Sequence, residues 1–208
     1  MNPLIVIVGP TGSGKSDLAL RIAEEYGGEI INCDSIQLYR YLNIGSAKLP
    51  VEERRGIPHH LIDVLDPDEI FTAGEYARRA RAILAEMTSR GRLPIVAGGT
   101  GFYLRALLEG LFQGPARDEA LRSRLAQREG KKPGSLHRLL RRFDREAALR
   151  IHSNDVPKVV RALEVCLLTR RPMTELFREG RDALEGYRTF KAALFPDREV
   201  LGARLDER

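Results

Sequence analysis

The sequence predicts an α/β fold: a P-loop NTPase-like parallel sheet with helices on both faces and an all-helical insertion. Three observations lead to this prediction. Short apolar runs alternate with segments of helical periodicity, a pattern typical of parallel sheets. A glycine-rich phosphate-binding motif directly follows the first apolar run. Between Arg117 and Arg150 there is no strand signal, and the chain is helical and basic.

Strands and helices alternate along the first 115 residues. They are predicted in this order: strand 4–8, helix 17–26, strand 29–33, a long helix ending at Gly91, strand 93–97 and helix 102–111. The long helix begins at a capping box formed by Thr72 and Glu75, whose side chains can satisfy the first free N–H groups of the helix. The apolar runs lack polar alternation, which is typical of strands buried on both faces.

The insertion is distinguished by its charge. Between Arg117 and Arg150 there are eleven basic and five acidic residues, a surplus of six, whereas the whole chain has a surplus of five. The predicted organisation is an α/β core over residues 1–115, a helical basic insertion over 116–185 and a return to the core over 186–208. Within the last two parts, 159–169 is predicted as a helix and 191–195 as a returning strand.

Composition restricts the functional classes. The 34 basic residues outnumber the 29 acidic ones, and 28 of the 34 are arginine, which favours phosphate-rich partners; genomic base composition explains the same excess equally well. Cys33 and Cys166 form neither a disulfide framework nor a zinc motif, so we expect reduced thiols and a cytoplasmic protein. We expect no membrane partner, because no apolar stretch approaches the length of a membrane span and no secretory signal is visible.

The phosphate-binding motif makes the most specific prediction. It consists of Gly9, Pro10, Thr11, Gly12, Ser13, Gly14, Lys15 and Ser16, and it lies between a strand and a helix, as the P-loop requires. Its backbone N–H groups can converge on an anion at the helix N-terminus. Lys15 adds a positive charge, and the hydroxyl of Ser16 can bind the magnesium ion that accompanies the phosphates. A diphosphate or triphosphate ligand is therefore predicted.

Asp34 follows the second predicted strand, at the sheet edge where open parallel sheets bind ligands. A carboxylate facing a phosphate loop can act as a general base. On spacing alone, a helix cap or an outer-shell magnesium partner is an equally good interpretation. The third strand runs into Gly98, Gly99, Thr100 and Gly101 without a following carboxylate, which argues against motor and switch NTPases.

Two further polar groups are interpreted as structural. The adjacent His59 and His60 point to opposite sides of an extended chain, so at most one can face a site, and metal binding would need more ligands. Arg161 lies on an apolar helix, where it pairs with Glu164 or a neighbour, or reaches a phosphate. Without further context, we interpret Arg161 as structural too.

Taken together, the motifs resemble the tRNA dimethylallyltransferase family, which prenylates adenosine beside the anticodon. The resemblance spans nearly the whole chain, and the pattern Asp-Ser-x-Gln-x-Tyr is not general among P-loop proteins. The matching segments are Gly9 to Ser16, Asp34 to Tyr39, Gly45 to Lys48, Pro58 to Asp63, Gly98 to Tyr103 and Arg161 to Val165.

The resemblance implies a role for each matching residue. The loop from Gly9 to Ser16 would hold the diphosphate of dimethylallyl diphosphate with Mg²⁺, and Thr11 and Lys15 would bind the leaving group. Asp34 would be the general base on the adenine N6 amine. Contacts with the tRNA anticodon stem-loop are implied for Asp34, Ser35, Ile36, Gln37, Thr100, Arg122, Pro157, Lys158, Val159, Val160 and Arg161. The protein is expected to act as a monomer.

The sequence also departs from the family pattern. Family members usually have a further segment, C-terminal to the part that corresponds to this sequence, which supplies more arginine to the site. The sequence up to Arg208 does not contain that segment. Residues 169–172 read Thr-Arg-Arg-Pro where Thr-Gly-x-Pro is common, and Lys158 replaces a common arginine. A lysine keeps the charge of that arginine and loses its planar fork.

Three other functions remain open from the sequence. A P-loop kinase for a small molecule or a nucleotide would bind ATP and use Asp34 to activate a hydroxyl. An inactive RNA-binding protein would keep the basic insertion without turnover. Prenylation of a free adenine nucleotide is disfavoured, because such a small substrate does not need a long basic insertion.

Overall fold

The computed structural model describes residues 1–206 and divides the chain into two units. The first unit, the α/β unit, combines residues 1–110 with the residues from 183 onward. The second, the helical unit, comprises residues 111–182. The insertion predicted from the sequence was placed at residues 116–185.

The α/β unit contains a sheet of five parallel strands in the order β3-β2-β4-β1-β5. Its elements are β1 (Asn2–Val8), α1 (Lys15–Tyr26), β2 (Gly28–Asn32), a 3₁₀ helix (Val51–Arg54), β3 (His59–His60), α2 (Ala73–Ser89), β4 (Leu93–Gly98), α3 (Gly101–Leu108), β5 (Tyr187–Ala193) and α9 (Arg198–Asp206). The predicted parallel sheet is confirmed. Thr72 caps α2 as predicted, since its hydroxyl accepts a hydrogen bond from the N–H of Glu75 at 3.1 Å.

Both faces of the central strands are buried. Ile7, Ile30 and Ile95 lie in one apolar cluster with the buried face of α1. Their neighbours along the strands, such as Ile31 and Val96, point to the opposite face and are equally inaccessible. This double burial explains why the strands are continuous apolar runs with no polar alternation.

The parallel sheet brings three loops to one edge, because each loop follows the carboxyl end of a strand. The phosphate loop follows β1, Asp34 follows β2, and Thr100 follows β4. The ends of β2 and β4 are in very close contact. A methyl group at Gly98 would lie 2.2 Å from the carbonyl carbon of Cys33, so only glycine fits there.

Three elements of the α/β unit differ from the sequence-based prediction. The returning strand covers 187–193 instead of 191–195. It begins earlier because its pairing with β1 starts at Asn2, opposite Tyr187. Strand β3 was not predicted, since its two residues are too few to show a periodicity, and α9 was not predicted either.

The helical unit contains five helices among its described residues. They are α4 (Glu119–Lys131), α5 (Ser135–Phe143), α6 (Arg145–Arg150), α7 (Val156–Thr169) and α8 (Met173–Arg178). Helix α7 supplies more of the buried apolar side chains than any other helix of this unit, and α4 and α5 add leucines at helical spacing. The predicted helical character of this segment, with no strand between Arg117 and Arg150, agrees with the structure.

Cys33 and Cys166 are both buried free thiols, in agreement with the sequence interpretation. Within residues 1–206, no helix is both long and apolar enough to cross a membrane.

We expect Gly98→Ala to destabilise the α/β unit by about 3 kcal/mol or more, because the new methyl group must displace the Cys33 peptide. The measurement is urea denaturation followed by circular dichroism. Gly101→Ala is the control, since a methyl group there meets no atom within 4 Å. Equal stability of the two variants would contradict the close contact between β2 and β4.

Candidate functional site

A cavity of about 540 Å³ opens at the carboxyl edge of the sheet. It is lined by residues from the phosphate loop, from the segment after β2 and from the end of β4. The lining includes Thr11, Gly12, Gly14, Lys15, Ser16, Asn32, Asp34, Gln37, Ser46, Ala47 and Gly98. Two predicted functional groups, the phosphate loop and Asp34, therefore face the same space.

The phosphate loop turns sharply into α1. Gly14 precedes the helix with φ of +88°, a left-handed conformation that strains any residue with a side chain. Lys15 then begins the helix, and its ammonium donates to the carbonyl of Pro10 at 3.0 Å. The N-terminus of α1, with its free N–H groups, therefore faces the cavity together with a lysine. This arrangement suits an anion.

Asn32 holds the backbone at Asp34. The Asn32 side chain accepts from the Asp34 N–H at 3.0 Å and donates to the carbonyls of Asp34 and Leu61 at 2.9 Å. One carboxylate oxygen of Asp34 accepts from the N–H of Ile36 at 2.9 Å. Asp34 thus closes a local turn through Oδ1. Its carboxylate, half-buried, lies on the cavity wall.

Thr100 holds the neighbouring part of the same segment. Its hydroxyl accepts from the N–H of Ser35 at 2.9 Å and donates to the Ser35 hydroxyl at 3.3 Å. The Thr100 N–H donates to the carbonyl of Cys33 at 3.0 Å. Burial raises the pKa of the Cys33 thiol to about 11, which keeps the thiol neutral. Thr100 therefore fixes the path of the chain around Asp34.

Gln37 connects this segment with the loop at residues 46–48. Its amide nitrogen donates to the carbonyls of Ser46 at 3.0 Å and Ala47 at 3.3 Å. Lys48 holds the same loop in place. Its buried ammonium contacts the Asp63 carboxylate at 2.6 Å and donates to the Tyr39 carbonyl at 2.8 Å. Gln37, Ser46 and Ala47 thus form part of one wall of the cavity, and Lys48 connects their loop to Asp63 outside the cavity lining.

The two adjacent histidines have the structural contacts expected from the sequence. His59 Nδ1 lies 2.8 Å from the carbonyl of Ile57, and His60 Nε2 lies 2.7 Å from the carboxylate of Glu29. Glu29 is almost fully buried and also receives two hydrogen bonds from Arg90. These bonds from Arg90 outweigh burial and lower the pKa of Glu29 to about 2.

The charges that line the cavity are predominantly negative. Asp17, Asp34, Glu52 and Glu53 face two cationic side chains, Lys15 and Arg55, and Arg55 is itself within 4 Å of Asp17 and Glu24. A phosphate ligand here needs additional positive charge. Oxygen donors such as the Ser16 hydroxyl suit a hard cation that arrives with the ligand. Within residues 1–206, no group of three or more His, Cys, Asp or Glu side chains could bind a metal without such a ligand.

In the helical unit, the buried carboxylate of Glu164 binds three segments together. Arg122 donates two hydrogen bonds to it at 2.8 Å, Arg161 donates one at 2.6 Å, and the N–H of Asp118 donates another at 2.8 Å. Burial by itself would raise the pKa of Glu164, but these hydrogen bonds outweigh it and lower the pKa to about 2. Arg122 and Arg161 thus have a structural task in this unit.

Four exposed cations line a groove of about 620 Å³ in the helical unit. Arg124, Arg128 and Lys131 lie at helical spacing on α4, and Lys132 follows directly. The groove floor includes leucines such as Leu125 and Leu139. We call this groove, with its four cations, the basic groove. Its cations are part of the charge surplus noted in the sequence.

The structure thus divides the predicted site residues between the two units. Asp34, Gln37 and five residues of the phosphate loop line the cavity, whereas Ser35 and Thr100 support it. The helical unit contains Arg122 and residues 157–161. Pro157 and Lys158 are exposed there, and the side chains of Val159 and Val160 are buried in the core.

The sequence did not predict a role in the cavity for Asn32, Ser46 or Ala47. Asn32 was treated as part of an apolar strand, although a polar residue inside such a run is a usable signal. Ser46 and Ala47 were noticed only as part of a resemblance and received no role. Their contact with Gln37 depends on the course of a loop with no periodicity.

Comparison with known proteins gives a consistent result. The family model described as IPP transferase matches residues 37–208. The tRNA dimethylallyltransferases of Solibacter usitatus and Koribacter versatilis are 68% and 58% identical to this chain over 206 residues. Each alignment covers 99% of this chain and 67% of the relative, so the chain spans about two thirds of their length.

Two solved structures are also similar to this chain. A eukaryotic dimethylallyltransferase acting on tRNA superposes with a TM-score of 0.88 at 32% identity, covering 100% of this chain and 52% of that one. A tRNA delta(2)-isopentenylpyrophosphate transferase from Staphylococcus epidermidis gives 0.61 at 37% identity, covering 100% and 68%.

The Glu164 cluster makes stability depend on acid pH. Because the pKa of Glu164 is lower in the folded protein than its ordinary 4.5, its stabilisation is complete above about pH 4.5 and is lost as the pH falls toward 2. We expect a loss of up to about 3 kcal/mol over this range from Glu164, measured by urea denaturation at a series of pH values.

Glu164→Gln should flatten this pH dependence while lowering stability at pH 7. Glu29 leaves a residual slope, because its pKa is lowered in the same way. The control is Glu119→Gln, which removes an exposed carboxylate of the same unit. A Glu164→Gln profile with the slope of the original chain would refute the assignment.

Proposed function

This chain belongs to the IPP transferase family, as its sequence motifs predicted, and we propose that it transfers a dimethylallyl group from dimethylallyl diphosphate to tRNA. The acceptor is the N6 amine of an adenosine next to the anticodon, and diphosphate is released. The chain is therefore an enzyme, a prenyltransferase that modifies tRNA.

One observation supports this proposal above the others. The phosphate loop and Asp34 line a single cavity. A diphosphate held by the loop would place its allylic carbon in the space that Asp34 faces. An acceptor amine in the same space could then contact both the carbon and the carboxylate.

The residues divide the reaction between leaving group and nucleophile. The bond between the allylic carbon and the diphosphate oxygen breaks, and its electron pair stays on the diphosphate. Lys15, Thr11 and the N-terminus of α1 stabilise that charge. The N6 nitrogen forms the new bond to carbon, and its proton passes to Asp34. Gln37, fixed by Ser46 and Ala47, would contact the edge of the adenine.

A magnesium ion fits the oxygen donors and the negative lining of this cavity. When bound with the diphosphate, it would be held by the Ser16 hydroxyl and would neutralise phosphate charge.

The adenosine must leave its stacked position in the anticodon loop to enter such a cavity. We assign the grip on the RNA backbone to the helical unit, because the cations of the basic groove are exposed and phosphate contacts supply affinity. Arg122, Thr100 and residues 157–161 remain predicted tRNA contacts. We place the protein in the cytoplasm, acting as a monomer.

The kinase alternative shares the phosphate loop and Asp34, and none of the relatives described above is a kinase. The two functions separate cleanly in one assay. Labelled dimethylallyl diphosphate and tRNA are incubated with the protein, and ATP with candidate small acceptors is tested in parallel. Label in tRNA without ATP turnover supports the proposal, and ATP-dependent phosphorylation of an acceptor would contradict it.

We expect Asp34→Ala to lower the single-turnover rate of transfer by about 100-fold or more, the usual contribution of general base catalysis. Affinity for tRNA should change little, because the carboxylate acts on a proton and not on the RNA backbone. Rapid-quench measurement of labelled tRNA gives the rate, and filter binding gives the affinity.

Asp68→Asn serves as the control, because it removes an exposed carboxylate of the same unit. If Asp34→Ala transfers the label nearly as fast as Asp68→Asn, Asp34 is not the base.

Replacing Arg128, Lys131 and Lys132 with glutamine should weaken tRNA binding and reduce its dependence on salt. If each cation contacts one phosphate, the slope of log K against log salt should fall by about 2 to 3. The measurement is tRNA affinity between low and moderate salt. Arg21, Arg78 and Arg188 of the α/β unit, replaced together, give a control with the same loss of charge.

An unchanged slope in the groove variant would remove the basic groove from the tRNA interface.

The role of Arg122 in tRNA binding needs a different variant. Arg122→Ala leaves Glu164 buried with fewer partners, which lowers the free energy of unfolding by about 3 kcal/mol or more. Arg122→Gln combined with Glu164→Gln avoids a buried unpaired charge.

A further inference from the structure

Helix α9 packs directly against the phosphate loop. A methyl group at Gly12 would lie 3.3 Å from Leu201 Cδ1 and 3.4 Å from Leu205 Cδ2. Two leucines of α9 thus cover the backbone of the loop at Gly12. None of the motifs singled out in the sequence lies on this helix.

The packing of the leucines brings Arg204 to the same loop. Its Nη1 donates to the carbonyl of Gly12 at 3.4 Å, a long hydrogen bond. The same nitrogen lies 4.0 Å from the position of a methyl group on Gly14. The guanidinium therefore lies beside the two glycines between which the loop turns toward the cavity. Arg204 is exposed, and this bond uses one of its five N–H groups.

The cavity itself needs such a cation. Four carboxylates line it against two cationic side chains, and one of these, Arg55, is paired with carboxylates. A diphosphate adds further negative charge. The planar guanidinium of an arginine can bind two phosphate oxygens through two parallel hydrogen bonds, a geometry that the compact ammonium of a lysine does not offer. The long side chain of Arg204 would extend from α9 and bind phosphate oxygens in addition to Lys15.

We propose that Arg204 is a diphosphate-binding residue, held beside the phosphate loop by Leu201 and Leu205. Its guanidinium leaves the Gly12 carbonyl and binds oxygens of the diphosphate, where negative charge accumulates as the carbon–oxygen bond breaks. This assignment rests on the proposed function, since it takes the loop to be a diphosphate site.

The test is calorimetric titration of the full chain with inorganic diphosphate in the presence of Mg²⁺. Arg204→Ala should weaken the affinity roughly tenfold, the size of a charge-assisted hydrogen bond to phosphate. Arg204→Lys should recover part of this loss. Arg198→Ala, which removes the same charge from the first turn of α9, should change the affinity less than about twofold.

Arg204→Gln separates binding from mere support of the loop. Glutamine can still donate to the Gly12 carbonyl but has no charge, so we expect it to bind diphosphate as weakly as Arg204→Ala. Full affinity in Arg204→Gln with a loss in Arg204→Lys would show that Arg204 only tethers the loop, and the proposal would fall. Unchanged affinity in Arg204→Ala would overturn it as well.

Lys15→Ala distinguishes this outcome from a failure of the proposed function. If Lys15→Ala loses affinity for diphosphate and Arg204→Ala keeps it, only the role of Arg204 is refuted. If the original chain does not bind diphosphate at all, the diphosphate site of the phosphate loop is refuted, and Arg204 with it. Thermal melting of each variant checks that α9 and the sheet stay folded.

Discussion

The candidate site depends on the close approach of two strand ends. Gly98 at the end of β4 touches the peptide of Cys33, at the end of β2, more closely than any side chain would allow. The next residues continue this contact, as Thr100 bonds to Cys33 and Ser35. Because β1, β2 and β4 are parallel neighbours, the loops that follow them share one edge. The position of Asp34 relative to the phosphate loop follows from this backbone contact.

Electrostatics organises the two units in different ways. In the α/β unit, a cavity with more carboxylates than cations faces a helix N-terminus and a lysine, so an anion must be accompanied by further positive charge. In the helical unit, one buried carboxylate, Glu164, gathers two arginines and a backbone N–H. This internal pairing shapes the unit, while other cations stay exposed in the basic groove.

Much of this arrangement could be predicted from the sequence, because it depends on local patterns. Continuous apolar runs predicted the parallel strands, and Thr72 with Glu75 predicted the start of α2. The phosphate loop could be located from its glycines with Lys15 and Ser16, because the motif lies between a predicted strand and a predicted helix. The family, too, follows from short motifs whose order matches along the chain.

Other features depend on contacts between residues far apart in sequence. The partner of Glu164 on α4 is 42 residues away, so only the Arg161 pairing, three residues away, was open to sequence reasoning. Strand β3 exists because β2 is beside it, since two residues have no pattern of their own. Helix α9 has no buried residue of its own, and its contact with the phosphate loop depends on the return of β5 to the sheet.

We propose that a single cavity holds the diphosphate and presents its allylic carbon to Asp34. A crystal structure of the protein with Mg²⁺ and the thio-analogue of dimethylallyl diphosphate, whose carbon–sulfur bond resists cleavage, tests it most directly. We predict that the diphosphate lies on the N–H groups of Gly12 to Ser16 and that the dimethylallyl chain points toward Asp34. A diphosphate bound elsewhere, or a dimethylallyl chain directed away from Asp34, would contradict the account.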